Sequence, residues 1–328
     1  MAVLVTGVAG FVGFHVAAAL AARGEAVIGV DNLDPYYSVA LKRARVAALG
    51  EGVRFAEADF ADPDALARAV ADVEIDRIVH LGAQPGVRFS IEQPFAYARA
   101  NVIGHLSILE LARARAVRHL VYASSSSVYG GNEQLPFATG DRVDHPVSLY
   151  AATKRADELM SESYAHLYRL SQTGLRFFTV YGPWGRPDMA VWLFTEAILK
   201  GQPIRVFNEG RMRRDFTWVG DIVAGVLAAL DRPPADDGAV KPGGSSKPHA
   251  LYNLGNNRAE ELGRLIELIE QACGRPAIRD MQPMQPGDVP ATYADIGDAA
   301  RDLGFAPTTP IEVGIPRFVD WFRGYAGA

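Results

Sequence analysis

The first half of the chain alternates short apolar, β-branched runs with longer stretches whose apolar residues recur at helical spacing. The runs fall at residues 3–5, 26–30, 53–56, 77–81, 119–123 and 175–180, and the helical stretches at 11–23, 39–49, 63–73, 95–115 and 149–170. Regular strand–helix alternation builds βαβ units, and strands apolar on both faces belong to a parallel sheet covered by helices on each side. The pattern therefore predicts an α/β fold with a doubly wound parallel sheet. After Tyr181 the rhythm changes: a Gly/Pro-rich turn at 182–187, a helix at 189–200, a strand at 204–207, a helix at 221–230 and a strand at 251–254. Residues 232–249 are rich in Pro, Gly, Asp and Ser and read as an exposed loop inside a domain. Amphipathic helices at 260–273 and 311–322 supply a smaller C-terminal α/β domain. The expected division is 1–181 with 216–255 for the sheet domain, and 182–215 with 256–328 for the second.

Composition narrows the function. A chain of 328 residues fits about two domains of roughly 150 residues, and 49% hydrophobic with 22% charged residues excludes disorder. The net charge of -5 lacks the basic excess of a protein that lives on phosphate-backbone contacts, so no nucleic acid is expected as main partner. The single cysteine, Cys273, forms no internal disulfide and suits a reducing, cytoplasmic setting. The apolar stretch 2–22 sits where a targeting segment or membrane anchor would. It has no basic residues before it, Gly7, Gly10 and Gly13 break it, and Thr6 and His15 place polar groups within it, so it is expected to fold and not to enter a membrane. The seven histidines show no ligand spacing, and no metal site is expected.

The strongest chemical signal is Thr6-Gly7-Val8-Ala9-Gly10-Phe11-Val12-Gly13, placed after the first strand and opening the first helix. Glycines at that spacing make the tight turn, let backbone approach a pyrophosphate and let helix meet strand, while the helix N-terminus offers amides and positive dipole: a Rossmann-like dinucleotide site. Asp31 ends the second run, where its carboxylate can accept both adenosine ribose hydroxyls and repel a 2'-phosphate; with neutral Asn32 beside it, NAD is favoured over NADP. Asp59-Phe60 after the third strand reads either as a flank for the adenine or as an ordinary helix N-cap.

The second signal is Tyr150 and Lys154, which share one helix face at i and i+4. An ammonium about 4 Å from a phenolate, at an effective dielectric of about 20, stabilises it by about 4 kcal/mol. That is the size of change a phenol needs to act as a base near neutral pH. Ser124 to Ser127 lie at the carboxyl end of the fifth strand, the edge where open α/β sheets bind ligands. Ser125 there can hydrogen-bond a reacting hydroxyl beside Tyr150, and Ser126 and Ser127 can contact the rest of a polar substrate; the alternative is that these serines satisfy turn amides.

Together with Arg176-Phe177-Phe178-Thr179-Val180-Tyr181-Gly182-Pro183, these motifs resemble the extended short-chain dehydrogenase/reductase family, in particular its nucleotide-sugar epimerases. Asp144-His145-Pro146-Val147-Ser148-Leu149-Tyr150 and Gly182-Pro183-Trp184-Gly185-Arg186-Pro187-Asp188-Met189-Ala190 resemble the branch that acts on UDP-glucuronate. The resemblance implies tightly held NAD and interconversion of UDP-glucuronate and UDP-galacturonate through a 4-keto intermediate, with Tyr150, Lys154, Ser125 and Ser127 as catalytic residues. It implies a cofactor site of Gly7, Gly10, Phe11, Val12, Gly13, Asp31, Asn32, Asp59, Phe60, Leu81, Ala83, Gln84, Asn101, Tyr150, Lys154 and Phe177. Substrate contacts are expected from Arg88, Ser126, Ser127, Thr179, Arg186, Val206, Phe207, Arg214 and Asp288. Of these, Ser126, Ser127 and Thr179 would hold the uronate carboxylate, with Arg186 as its charged candidate or else a solvated side chain. Arg214 would hold the diphosphate, with a solvated basic loop as the alternative; Gln285 stands where relatives often carry arginine. Serines in place of acidic residues at 126 and 127 leave decarboxylation without an acid/base pair. The resemblance also implies a homodimer built from helices 95–115 and 149–170. Two other functions stay open on sequence: a UDP-glucose/UDP-galactose 4-epimerase, and a catalytically silent NAD-binding regulator.

Overall fold

The structure is a computed structural model and describes residues 1–283 and 291–327. Its first half runs β1 (Ala2–Thr6), α1 (Phe11–Ala22), β2 (Val27–Asp31), α2 (Val39–Leu49), β3 (Val53–Glu57), α3 (Pro63–Ala69), β4 (Ile75–His80), α4 (Phe89–Glu92), α5 (Pro94–Tyr97), α6 (Gly104–Ala114), β5 (His119–Ser125), α7 (Leu149–Tyr168) and β6 (Gln172–Phe177). There follow β7 (Thr179–Tyr181), α8 (Ala190–Lys200), β8 (Pro203–Phe207), β9 (Arg213–Arg214), β10 (Phe216–Trp218), α9 (Val219–Leu230), β11 (His249–Leu254), β12 (Glu260–Glu261), α10 (Leu262–Cys273), β13 (Ile278–Gln282), β14 (Ala291–Thr292), α11 (Gly297–Leu303) and α12 (Ile311–Ala326).

Seven strands form one sheet in the order β11-β6-β5-β4-β1-β2-β3, with every pairing parallel. Successive side chains of a strand face opposite sides of a sheet. In β1, Val3 and Val5 accordingly enter a core shared with α1 and α9, while Leu4 enters a second core shared with α3 and α6. The apolar N-terminal stretch is thus the middle of the sheet and its first covering helix. Among the described residues no helix is long and apolar enough to cross a membrane. A separate apolar core joins α8, β8, α10 and α12. The chain order reverses beside β1, whose neighbours are β2 and β4, and a cleft opens at the carboxyl ends of these strands, as open α/β sheets require.

Three elements depart from the reading by period. The expected helix 95–115 is a compound of α5, a π-helical segment at Ala98–Ile103, and α6, preceded by α4. Pro94 occupies a first helical turn, where its missing amide costs nothing, and the π segment re-aims Asn101 inward. The expected helix 63–73 ends at Ala69, where Val70 leaves helical geometry at φ -118°, and β4 begins at Ile75, two residues before its expected run. The expected strand 175–180 divides into β6 in the main sheet and β7, which pairs with β10.

Candidate active site

The glycine loop closes against β4. Gly7 has φ +71°, and a Cβ there would lie 2.6 Å from the Gly82 backbone nitrogen; a Cβ on Gly13 would lie 2.0 Å from the Gly7 carbonyl. Gly10 caps α1 without a side-chain bond, which leaves the helix amides to an anion. Asp31 ends β2 with Oδ2 accepting from the Ala9 amide at 3.1 Å and Oδ1 from the Leu33 amide at 2.8 Å. Burial raises its carboxyl above the usual range, against the pull of Lys42 and both amides. Its two oxygens are thereby fixed in register with the loop. The open cleft has a cavity volume of about 230 Å³. Of the expected cofactor residues, Gly7, Gly10, Phe11, Val12, Gly13, Asp31, Asn32, Phe60, Leu81, Ala83, Gln84, Tyr150, Lys154 and Phe177 line it, and so do Ser125 and Arg186.

Tyr150 enters from the first turn of α7, which Ser148 caps by accepting from the Ala151 amide at 3.1 Å. Its ring meets Tyr97 edge-on at 6.1 Å, and the Tyr97 hydroxyl is anchored on the Pro85 carbonyl at 2.6 Å. One turn along, buried Lys154 donates to the Ala123 carbonyl at 3.0 Å and to Asp157 Oδ2 at 3.1 Å. Ser125 accepts from the Ser127 amide at 3.2 Å, which turns the chain and leaves Ser125 on the cleft wall. A dinucleotide cradle, a Tyr/Lys pair and a serine thus share one cleft.

A family model, NAD dependent epimerase/dehydratase family, matches residues 3–241. The chain belongs to this family. It is 47% identical over 331 residues to Protein CapI of Staphylococcus aureus, covering 99% of both chains. It is 47% identical over 330 residues to the probable UDP-glucuronate 4-epimerase of Rhizobium meliloti, covering 98% of this chain and 97% of that one. Among solved structures, the UDP-glucuronic acid 4-epimerase from Bacillus cereus in complex with UDP-glucuronic acid and NAD superposes with a TM-score of 0.87 at 29% identity, covering 99% of this chain and 100% of that one.

In this member of the epimerase/dehydratase family, the wall opposite the glycine loop is the turn at 182–189. Arg186 grips Asp188 with both Nε, at 3.0 Å, and a terminal nitrogen, and the Tyr36 hydroxyl donates to Asp188 Oδ2 at 3.0 Å. Burial pushes the Asp188 carboxyl up, but the Arg186 charge and hydrogen bonds outweigh it and hold the group below its usual range. The turn is stapled from behind by Arg45 of α2, which is wholly buried. Arg45 donates to the carbonyls of Trp184 (2.7 Å), Gly185 (3.0 Å) and Ala9 (2.9 Å) and to the Tyr37 hydroxyl (2.7 Å). Trp184, at φ +60°, packs between Phe14, Trp321 and Tyr325 with centroids 5.5–5.7 Å away. Arg45, Asp188, Tyr36 and Asp157 are the residues that the sequence reading missed. A basic residue in an Ala-rich helix reads as solvated, and only the neighbouring Lys42, three positions earlier on the same face and also buried, hints otherwise.

Several expected residues stand elsewhere. Asn101 lies behind the wall, where it accepts from the Gln84 amide (2.7 Å) and donates to the Gln84 carbonyl (3.2 Å) and to Thr153 Oγ1 (2.9 Å), tying the β4 loop to α7. Asp59 accepts from the Ala61 amide at 2.9 Å and pairs with Arg99 at 2.8 Å; the cap of α3 is Asp62. Ser126 and Ser127 sit in the short turn past β5 and do not line the cleft. Thr179 lines a smaller adjoining hollow of about 40 Å³, which Arg186 and Met189 share with the cleft. The Val206 side chain is only 1% exposed in the C-terminal core, because alternate residues of β8 face inward; it offers no platform for a base, which corrects the expectation. Phe207 instead stacks under the Arg88 guanidinium at 5.1 Å. Arg214 donates to the Arg213 carbonyl at 2.9 Å. Asp288 and Gln285 lie outside the described residues. Among the described residues no group of three metal-ligating side chains occurs.

Proposed function

We propose that the protein inverts C4 of UDP-glucuronate to give UDP-galacturonate, with NAD held in the cleft. The observation that carries this is the convergence of Tyr150, Lys154 and Ser125 with the glycine loop and Asp31 on one wall and Arg186 on the other. The cradle fits the dinucleotide: Gly7 and Gly13 let the loop close on Gly82 and on the start of α1, Gly10 caps α1 with no side chain in the way of a pyrophosphate, and Asp31 keeps lone pairs for the ribose. Bound NAD+ supplies a reversible hydride acceptor at C4. Tyr150, as phenolate beside Lys154, takes the proton of the sugar 4-hydroxyl and later returns it to the opposite-handed product, while Ser125 orients that oxygen. Arg186, with Thr179 in the adjoining hollow that it shares, reads the uronate carboxylate; the serine run at 124–127 supplies no acid to assist loss of CO2 from the β-keto acid. Arg88, Phe207, Arg214 and Asp288 take the UDP half.

The sheet domain is residues 1–181 with 216–255, supported by β11 joining the sheet; 182–215 with 256–328 form the UDP-sugar domain around the C-terminal core. A homodimer through α4–α6 and α7 is supported by exposed Ile91, Phe95, Ile103, Leu106, Leu159 and Leu167 on those helices, and a monomeric mass at micromolar protein would contradict it. The setting is cytoplasmic, in keeping with one unpaired cysteine. The test is Tyr150→Phe, which removes the base and leaves the cradle: turnover should vanish with NAD still bound, and full activity would exclude the assignment.

A further inference from the structure

Lys154, one helical turn from Tyr150 and lining the same cleft, faces a carboxylate. Asp157 lies on the same helix, its Oδ2 3.1 Å from Lys154 Nζ, with the two side chains 1% and 3% exposed. Its Oδ1 has no hydrogen-bond partner among the described residues. A buried carboxylate with one oxygen unsatisfied is costly to keep ionised. Burial pushes Asp157 up to about 7 against the opposing charge of Lys154.

The other groups around this pair carry their own partners or are held neutral by burial. On α7, Glu158 is held ionised by Arg176 of β6 at 2.8 and 2.9 Å and by Arg155 at 2.9 Å, so that cluster carries its own counter-charges. From β4, His80 is pushed down to about 3 by burial, and from α6, His105 is pushed well below its usual range for the same reason. From β5, burial raises Tyr122 far above the usual phenol, and it stays neutral. From β11, His249 bonds Glu162 and Tyr122 on the far side of those rings.

Resting on the reading of Tyr150 as the base, we propose that Asp157 is a positioning residue that governs the acidity of Tyr150 through Lys154. Ionised, Asp157 compensates the ammonium and holds the phenol protonated. Protonated, it releases the full field of Lys154 onto the phenolate. Ionisation of Asp157 with rising pH therefore opposes loss of the phenol proton, and the pair spreads the onset of activity over a wider pH range.

The experiment is the pH profile of epimerisation kcat for the NAD-loaded Asp157→Asn enzyme beside wild type. The isosteric amide keeps a neutral neighbour at every pH, so the acid limb should move to lower pH by about one unit and steepen. An ultraviolet difference titration of phenolate, with Tyr150→Phe subtracted, should show the same displacement even if Asp157→Asn turns over slowly. A lower kcat at every pH, with limb and titration unmoved, would make Asp157 a structural tie and overturn the proposal, as would movement to higher pH. Tyr150→Phe separates the two failures: if it is inactive while the limb is unmoved, only the role of Asp157 falls, and if it is active, the base assignment falls with it.

Discussion

The glycine loop that would hold the cofactor's pyrophosphate comes from one continuous stretch of backbone, β1 through α1, whereas the turn at 182–189 is held by side chains from far along the chain. On the first wall the working atoms are amides and carbonyls, and the constraint is that nothing larger than hydrogen stands at Gly7 or Gly13. On the second, Arg45 of α2 and the rings of Phe14, Trp321 and Tyr325 fix Trp184, and Arg186 points where that scaffold sends it. A backbone-built wall fails through one added carbon; a stapled wall fails through one removed contact.

The largest effect is expected from Gly7→Ala. A methyl group at φ +71° and 2.6 Å from Gly82 must move backbone, so the purified protein should lose bound NAD and about 3 kcal/mol of stability, read by absorbance of released cofactor and by urea unfolding. Arg45→Met should cost a similar amount, about 3 kcal/mol, because it strands several buried carbonyls. Arg45 also bonds Ala9, so both walls should loosen together, with weaker NAD retention and a higher KM; a change confined to one wall would show that the staple does not join them.

These two substitutions mark what was legible. The glycine spacing, Asp31, Tyr150 and Lys154 could be read because each needs a particular residue type at a particular spacing within one element. The parallel sheet followed from the same alternation, while its seven-strand order is seen only in the fold. Arg45 and Asp157 could not be read, since a charged residue in a helix has a solvated face as its ordinary place, and only tertiary packing turns these inward. The π segment at Ala98–Ile103 escaped for a related reason: its apolar period reads as ordinary helix, and the wider turn shows only in the fold.

A third difference is electrostatic. Beneath the cofactor wall, His80 is buried, neutral and bonded to Thr6 Oγ1 at 2.6 Å. Its pKa falls from 6.5 to about 3 on folding, so its share of stability is intact above about pH 6.5 and is lost as pH falls toward about 3. By about pH 5 the loss should reach about 2 kcal/mol, and His80→Gln should flatten that part of the urea stability profile. Arg186→Gln probes the other wall and should be mildest for folding: KM for UDP-glucuronate should rise about tenfold, or about 1.4 kcal/mol, with little change for UDP-glucose.

The central claim is that the two walls together make an epimerase that spares the carboxylate, and NMR of the purified protein with UDP-glucuronate and no added cofactor tests it most directly. Appearance of UDP-galacturonate with neither pentose nor CO2 is the predicted result. Loss of CO2, or no C4 inversion despite bound NAD, would contradict it.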